Sequence, residues 1–518
     1  MKIVLSVFLV VVLCASGYSQ TAWSVDVAPI IYDNCSKCHH EGGIGPFNLL
    51  GYQDMIDGGD AIVEAITTGF MPPWPANPDY QHFANENVLS DAEIQTILDW
   101  VSDGSLEGNP DLAPQPPVFN NNSALPSIDF TGQTGNFASL ADEEDDFRTF
   151  VIPSNLSVDT FIDGIEIIPG NAAIIHHALV YYDPTDDCLS YDAADPGPGF
   201  ATDGTGGGLP PETKYLAVWV PGNSPSVLPQ GFGFKVETGG HYLVELHFPE
   251  NTLGDTDNTT INIHYSTSNN VREVFMEPIL YHFWPILEEG TLYILANDTA
   301  TFHESYNLPI DVTLFNVFPH MHLIGRTIKS WGETSGDVVI PFVEIDNWDF
   351  HWQYTYSFPQ LRHVPANTEL KAEAFYDNTP NNPHQPNDPP QPVYGGEETS
   401  DEMMVVFFTY AIYQEGDEFI VVDPELGVPT IQSPSLAMSA FPNPVNDILN
   451  LSIFTQNTGS FECNVFDIRG TEVMRFGLNL TSGMNKQTIK TDNLQDGLYS
   501  IVLQNDQHFH TVKFVVVH

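Results

Sequence analysis

The sequence has few basic residues: Lys and Arg together number 15, against 68 Asp and Glu in 518 residues. The formal net charge is therefore −53 at pH 7. A polyanion of this size repels phosphate backbones, which excludes nucleic-acid binding as a function. We expect no nucleic-acid partner, and we interpret the acidic residues as a solvated exterior.

Cysteine and long apolar segments are also scarce. Only five cysteines are present, and their distribution predicts no disulfide framework. Residues 1–20 combine Lys2, an apolar stretch and small residues near a cleavage site, which is typical of a signal peptide. No later stretch reaches the roughly 18 apolar residues that span a bilayer. We expect a chain exported through the periplasm, secreted or held at the cell surface, with no transmembrane span.

The abundant residue types favour packed β-structure. Hydrophobic residues make up 42% and aromatics 12%, with 39 Gly and 40 Pro. Short apolar runs separated by turn residues are typical of β-sandwiches, whereas Ser90 and Glu93 form a helix capping box before an apolar helical pattern. We predict a multidomain, mainly β protein. Its segments are a signal peptide at 1–20, a small all-α domain at 22–109, a linker at 110–126, tandem jelly-roll-like sandwiches at 127–275 and 276–425, a linker at 426–439 and an immunoglobulin-like β-sandwich at 440–518.

The all-α segment carries the pattern C-x-x-C-H at Cys35, Cys38 and His39. Two thiols at this spacing can form thioethers to a haem whose iron the adjacent imidazole ligates. Met71 is the candidate sixth ligand. A redox dithiol or a chance match is the alternative. The segment resembles small c-type cytochromes, which implies a cytochrome c-like domain with one covalent haem c.

His320 and His322 are two residues apart, so on a strand their imidazoles lie on one face and can chelate one ion. Met403 adds a thioether further along the chain. Two imidazoles and a thioether form a soft, low-coordinate site that suits Cu(I). Asp401 and Glu402 precede this Met and are candidates for orienting the ligands, or are ordinary acids at the end of a strand.

A second histidine group includes His176, His177 and His247. Adjacent residues of a regular strand point to opposite faces, so joint ligation by the first two requires a bulge or twist. Three imidazoles form another copper-competent site, and zinc is also compatible with them. His241 lies on the same face of its strand as His247 and is the alternative third ligand.

Residues 127–425 resemble the copper type II ascorbate-dependent monooxygenases, the group of peptidylglycine alpha-hydroxylating and dopamine beta-monooxygenases. The order is His-His, then His before Phe-Pro-Glu, then His-x-His-x-x-Gly, then Asp-Glu-Met. The resemblance implies two coppers per chain. It assigns the electron-transfer site to His176, His177 and His247, and the O2-binding catalytic site to His320, His322 and Met403.

Two positions depart from the peptide-amidating member of that family. An Arg two residues before the His-x-His pair and a Tyr four after the ligand Met hold the substrate carboxylate there, whereas this chain has Phe318 and Phe407. Burying a carboxylate without a partner is costly. We therefore expect a small, less polar organic substrate and not a peptidylglycine carboxylate.

The last segment contains Phe-Pro-Asn-Pro at 441–444 and a Val-rich final strand. It resembles the C-terminal sorting domain of type IX secretion cargo, which implies that secretion machinery as a partner and removal of the domain. An ordinary immunoglobulin-like adhesive module is the alternative.

Together these features predict a secreted copper-dependent monooxygenase, an oxidoreductase that acts on paired donors and incorporates one oxygen atom. It would hydroxylate a substrate C–H bond with O2. Electrons would come from ascorbate or a redox protein, through the fused haem c and the second copper. The alternative is an exported electron-transfer cytochrome or copper-binding surface protein without monooxygenase activity.

Overall fold

The structure, a computed structural model, describes residues 20–422 and 436–517. Within these ranges it leaves out 42, 44, 85, 120–122, 124, 143, 196, 203–207, 222, 224, 337, 397, 442–444, 456–457, 468–470, 496 and 506–508. Nearly all of the predicted signal peptide, most of the predicted linker at 426–439 and residues 442–444 therefore lie outside the described residues. Among the described helices, none is both long and apolar enough to cross a membrane.

The chain divides into two compact units. The first contains Met1–Trp74 and Asn87–Asn121, and the second contains Pro75–Glu86 and Asn122–His518. The first unit is helical, with a π-helical turn at Trp23–Val27, α1 at Ala28–Asn34, α2 at Tyr52–Thr67, α3 at Asp91–Ser102 and a short 3-10 turn at Pro110–Leu112.

The start of α3 follows from its sequence. The Ser90 hydroxyl accepts the N–H of Glu93 at 3.3 Å, and the Glu93 carboxylate accepts the N–H of Ser90 at 2.8 Å. This reciprocal pair satisfies two backbone groups that a helix end leaves open. Behind it, Ile97 and Trp100 belong to one cluster of buried residues together with Ile31 of α1, which closes a small helical core.

The second unit is built from β-strands with one further helix, α4 (Asp187–Ala194). Its first strands are β1 (Phe130–Gln133), β2 (Phe137–Ala138), β3 (Asp146–Pro153), β4 (Thr160–Ile168), β5 (His177–Asp183), β6 (Phe200–Ala201), β7 (Lys214–Trp219), β8 (Ser226–Val227), β9 (Phe232–Val236), β10 (His241–Phe248), β11 (Thr256–Asp257) and β12 (Thr260–Tyr265). The next are β13 (Arg272–Tyr281), β14 (Tyr293–Ile294), β15 (Asp298–Asn307), β16 (Val312–His320), β17 (Gly325–Glu333), β18 (Val339–Ile345), β19 (Tyr356–Val364), β20 (Glu369–Asn378), β21 (Val393–Tyr394) and β22 (Val405–Ile412). A 3-10 turn follows at Asp417–Phe419.

Three sheets position the histidines. A five-stranded sheet has the order β6-β3-β10-β5-β7, and a four-stranded sheet has the order β15-β20-β17-β18. The largest sheet runs β1-β12-β4-β9-β13-β22-β16-β19, with β8 paired to β4. Every residue of β10 is buried, as expected for a central strand covered on both faces.

Strand β13 joins the two predicted sandwiches into one sheet. Its first residues pair in parallel with β9, and the rest of the strand pairs antiparallel with β22. Arg272, which opens β13, has its guanidinium 4.6 Å from the ring centre of Phe232 and donates to the Asp417 carboxylate at 2.6 Å. One side chain therefore contacts strand β9 and the turn that follows β22.

The C-terminal segment forms two sheets of its own. Their strands are β23 (Leu436–Phe441), β24 (Ile448–Thr455), β25 (Gly459–Asp467), β26 (Glu472–Leu480), β27 (Gly483–Lys490), β28 (Gly497–Gln504) and β29 (Phe509–Val516). A three-stranded sheet has the order β23-β24-β27 and a four-stranded sheet the order β26-β25-β28-β29. Leu451, Cys463 and Ile501 are buried between them. The prediction of a multidomain, mainly β chain is confirmed.

Candidate functional site

The first histidine group forms where β5 and β10 lie side by side. His177 is the first residue of β5 and pairs directly with His247 of β10. His176 lies in the bend before the strand, and its N–H donates to the carbonyl of His247 at 2.9 Å. Because His176 precedes the strand, its side chain does not follow the strand alternation, and no bulge within β5 is needed to bring the three rings together.

The three rings approach one another through their Nδ1 atoms. Nδ1 of His177 lies 3.3 Å from Nδ1 of His176 and 3.4 Å from Nδ1 of His247. Nitrogen ligands about 2.0–2.1 Å from one metal ion lie roughly 3.3–3.6 Å apart in tetrahedral or trigonal geometry. Burial and the neighbouring rings lower the pKa of His176 well below its ordinary value, which keeps it in the neutral form that binds metals. The residues fit a tri-imidazole copper site.

Two side chains contact the imidazole of His247. Its Nε2 lies 3.3 Å from Oδ2 of Asp145, and the ring of Phe147 stacks on it at 4.2 Å. Burial alone would raise the pKa of Asp145, but the His247 imidazole at 3.3 Å and hydrogen bonds from Thr399 and the N–H of Glu250 outweigh it and lower the pKa to about 2. A carboxylate behind a ligand imidazole fixes its tautomer and orientation.

His241, the alternative third ligand, lies at the other end of β10. It pairs with Asp183, six residues along the ladder from the His247 position. Its Nδ1 is 3.2 Å from the carbonyl of Thr185, and its Nε2 is 3.9 Å from the Asp186 carboxylate. The structure therefore brings His247, and not His241, to His176 and His177.

The second histidine group lies at the end of β16. His320 closes this strand, and His322 follows in the loop before β17, with the two ring centres 5.1 Å apart. Nδ1 of His320 is 2.6 Å from Oε1 of Gln353, and Nδ1 of His322 is 3.2 Å from the carbonyl of Asp401. Burial lowers the pKa of His320 to about 4. Both Nδ1 atoms face oxygen acceptors, which leaves each Nε2 to ligate.

Glu402 ties this loop to the segment that carries Met403. Its carboxylate accepts the N–H of His322 at 2.9 Å, of Ile324 at 2.8 Å and of Met403 at 3.2 Å. The hydroxyl of Tyr376 donates to the Met403 carbonyl at 2.7 Å. Glu402 and Met403 are both fully buried. The Glu402 carboxylate thus holds the backbone of His322 and the backbone of Met403.

Three aromatic side chains lie beside this group. Phe318 and Phe407 are direct partners in the β16–β22 ladder, and their ring centres are 5.9 Å apart. Tyr215 approaches Phe407 at 5.3 Å, and the ring of Phe318 is 6.4 Å from that of His320. Phe318 and Phe407 are both 5% exposed, and neither they nor Tyr215 carries a full charge, so these rings offer no charged partner to a ligand.

The C-x-x-C-H segment forms the turn after α1. The N–H of Cys35 donates to the Ile31 carbonyl at 2.9 Å, and that of His39 to the Cys35 carbonyl at 3.1 Å. Nδ1 of His39 is 3.0 Å from the Phe47 carbonyl, which leaves Nε2 for a ligand. A Cβ on Gly45 would lie 2.6 Å from that Nδ1, so the loop packs closely on the ring. These features fit a haem c.

Met71 lies in the same unit, after α2. It is half-buried, and its N–H donates to the Ala65 carbonyl at 3.1 Å. Its role as sixth ligand stays a prediction.

Sequence reasoning missed the residues that support the ligands. Asp145 precedes β3, whereas Phe350 and Gln353 lie in the loop between β18 and β19. Each reaches a histidine more than thirty residues away, and no local pattern marks such contacts. His282 was also missed: it is 2% exposed, and its Nε2 has no hydrogen-bond partner among the described residues.

Comparison with protein families places one match on the second histidine group. Residues 296–420 match the copper type II ascorbate-dependent monooxygenase, C-terminal domain. This range contains His320, His322 and Met403. It supports a copper-dependent monooxygenase at the level of the family. Residues 439–517 match the secretion system C-terminal sorting domain, which indicates export to the cell surface or secretion.

Other comparisons add little. The curated proteins give no match. Among solved structures, the chain is similar to the apo structure of Bacteroides uniformis beta-glucuronidase 3 at 11% identity, over 42% of this chain and 27% of that chain, with a TM-score of 0.13. For the Faecalibacterium prausnitzii beta-glucuronidase the identity is 14%, over 42% and 37%, with a TM-score of 0.14. For the biofilm associated protein BSP domain it is 8%, over 77% and 84%, with a TM-score of 0.15. These TM-scores support no conclusion about function.

Proposed function

We propose that the chain is a secreted monooxygenase with two coppers, which hydroxylates a C–H bond of a small, uncharged organic substrate. The balanced reaction is RH + O2 + 2 e⁻ + 2 H⁺ → ROH + H2O. The observation that carries the proposal is the pair of histidine groups in one unit, in which His247, His320 and His322 are buried. The second of them falls within the monooxygenase match. Ascorbate or a redox protein is the proposed source of the two electrons.

In this proposal each ligand set has a distinct task. His176, His177 and His247 present three Nδ1 atoms and would hold the copper that receives electrons. His320 and His322, with Met403, would hold the copper at which O2 binds. Copper in such sites supplies one-electron transfer and activation of O2. The task of the chain is to orient these donors, and burial keeps the imidazoles of His176, His320 and His322 neutral by lowering their pKa.

The second set is asymmetric in a way that suits O2 chemistry. A thioether favours the reduced ion more than imidazole does, so Met403 would distinguish this site from the all-imidazole site. Glu402 would act as a positioning residue, because it holds the backbones of His322 and Met403 in one arrangement. Gln353 would do the same for the ring of His320.

Phe318, Phe407 and Tyr215 would contact the substrate. Their rings provide apolar area near His320 and no cationic partner for a carboxylate. A peptide ending in glycine would bury its carboxylate there unpaired, at a cost of several kcal/mol. We therefore propose an aromatic or aliphatic substrate.

The first unit would supply electrons. Cys35, Cys38 and His39, with Met71, would hold one covalent haem c, in a cytochrome c-like domain at 22–109. We keep two monooxygenase sandwiches, 127–275 and 276–425, as a proposal in which strand β13 (Arg272–Tyr281) crosses from one to the other. The domain at 440–518 would direct the chain to the type IX secretion machinery and be removed after passage.

The test begins with metal content. We expect two coppers and one haem per chain after maturation with haem and loading with copper. In His322→Ala and Met403→Ala one copper and substrate-dependent O2 consumption should be lost, whereas His241→Ala should retain both. One haem with no tightly bound copper would contradict the proposal and favour an exported electron-transfer cytochrome. Two coppers with no O2 consumption across an aromatic and aliphatic substrate panel would favour a copper-binding protein.

A further inference from the structure

One segment of the predicted all-α domain belongs to the other unit. Residues Pro75–Glu86, here named the strap, lie inside the segment 22–109, yet they group with the second unit. The chain up to Trp74 and the chain from Asn87 onward, as far as Asn121, belong to the first unit. The chain of the first unit is therefore continuous with the second unit at both ends of the strap, and again after Asn121.

The start of the strap pairs with the end of β18. Ala76 forms an antiparallel bridge with Ile345, and the N–H of Asn77 donates to the Glu344 carbonyl at 2.8 Å. The side-chain amide of Asn77 donates to the Asp346 carboxylate at 2.9 Å. Because β18 is the last strand of its sheet, this pairing covers part of a sheet edge.

The middle of the strap contacts two of the 15 basic residues of the chain. Nζ of Lys329 in β17 lies 4.4 Å from the ring centre of Tyr80, a contact in which the aromatic face attracts the cation. The Tyr80 hydroxyl donates to the Ser330 carbonyl at 3.5 Å. The guanidinium of Arg362 in β19 donates to the side-chain oxygen of Gln81. The middle of the strap is therefore held by two further strands.

The end of the strap packs on β19 through an aromatic ring. Phe83 is 5% exposed, and its ring centre lies 5.0 Å from that of Tyr356 and 5.8 Å from that of Phe358. The N–H of Ala84 donates to the Ser357 carbonyl at 2.8 Å. Buried aromatic side chains contribute much of the binding free energy where two surfaces meet. We therefore expect Phe83 to be the main anchor of the strap.

We propose that the strap keeps the first unit attached to the second unit independently of the linker at 110–126. The surface formed by β17, β18 and β19 is the docking surface, and its occupant is Pro75–Glu86 of the same chain. This inference requires no metal in either unit. One consequence, which rests on the proposed function, is that the electron-supplying unit stays with its own chain after the linker is cut.

A cut in the linker tests this attachment. A recognition sequence for a site-specific protease, inserted after the exposed Gln115, allows the folded full chain to be cleaved. The N-terminal fragment then carries the strap, and the C-terminal fragment carries its docking surface. We expect the two fragments to sediment as one particle and to separate only in denaturant. Separation without denaturant would overturn the proposal, and it would not alter the metal content that tests the proposed function.

Two neighbouring residues of the strap provide a variant and its matched control. Phe83→Ala removes the buried ring, so the dissociation constant of the cleaved chain should rise by about thirtyfold or more, as for the anchor residues of other interfaces. His82→Ala should leave that constant unchanged, because the His82 side chain is 75% exposed and its ion pair with Glu86 lies within the strap. An unchanged dissociation constant in Phe83→Ala would overturn the role of the strap.

Hydrogen exchange on the uncut chain gives a second measurement that needs no substitution. The N–H groups of Asn77 and Ala84 donate to carbonyls of β18 and β19, so they should exchange much more slowly than those of the exposed linker residues Gln115 and Val118. Exchange of both strap N–H groups as fast as in the linker would overturn the docking of the strap, even where Phe83→Ala fails to fold.

Discussion

The pairing of Asp145 with His247 leads to a quantitative prediction for copper affinity. The His247 imidazole, 3.3 Å away, and hydrogen bonds from Thr399 and the Glu250 N–H lower the pKa of Asp145 to about 2, against an ordinary value of 3.8. Such a shift corresponds to about 2.4 kcal/mol at most. His247 supplies only part of it, and solvent screens a carboxylate at the edge of the core. We therefore assign about 1.4 kcal/mol to this pair, equivalent to about tenfold in a dissociation constant.

Asp145→Asn removes the charge and keeps an acceptor oxygen. We expect copper at the first site to bind about tenfold more weakly, at the lower end of the range for residues behind metal ligands. The measurement is competition with a chromogenic Cu(I) chelator, in a His322→Ala background that weakens the second site. Asp186→Asn is the control, because Asp186 is exposed and lies 3.9 Å from His241. If Asp186→Asn weakened binding and Asp145→Asn did not, the choice of His247 over His241 would be wrong.

Two further predictions concern buried carboxyl groups. Glu304 is 1% exposed with no hydrogen-bond partner for its oxygens among the described residues, and burial raises its pKa well above the ordinary 4.5. Because the folded-state pKa of Glu304 is raised, the protein has its full free energy of unfolding below about pH 4.5 and loses part of it as the pH rises toward the folded-state pKa. Glu304→Gln should therefore be as stable as the parent protein at pH 4.5. Above this pH, the variant should become more stable than the parent by up to about 1.4 kcal/mol per pH unit. Urea denaturation at pH 4.5 and 7.5 measures this, with the exposed Glu288→Gln as control, and a Glu304→Gln difference that stayed constant with pH would contradict it. Glu402→Ala leaves three buried N–H groups without their acceptor, at about 1 kcal/mol or more each, so we expect about 3 kcal/mol lower stability and loss of one of the two proposed coppers. Unchanged melting with both coppers retained would show that Glu402 does not hold His322 and Met403 in place.

The fold class was predictable because it depends on local patterns. Frequent turn residues between short apolar runs predicted strands, and the capping box at Ser90 predicted where α3 begins. The joining of two predicted sandwiches through β13 was not predictable. The sequence of a strand indicates which of its faces is apolar, but it does not indicate which other strand will pair with each of its edges.

Part of the candidate site was likewise predictable from the sequence, and part was not. The spacing of His320 and His322 predicted that they act together, since residues two apart share a face. The choice between His241 and His247 stayed open for this very reason, because both lie on one face of β10. Register resolves their positions: His247 is opposite His177, and His241 is opposite Asp183. The joint approach of His176 depends on where β5 begins, which a sequence pattern locates only to within a few residues.

The role of β13 has a consequence for engineering by recombination. A flexible linker lets one module be exchanged for that of a relative, but here the junction is a strand whose two ends are hydrogen-bonded to different partners. A chimaera that joined this chain to a relative at residue 276 would divide that strand. Arg272 would then lie opposite the relative's residue at the position of Asp417. Crossover points placed in the turn before Arg272 would keep the strand with β22 but would require β9 of the recipient to accept a new neighbour. If Phe318 and Phe407 contact the substrate as proposed, exchange of substrate specificity is therefore better attempted by replacing these two side chains than by exchanging halves.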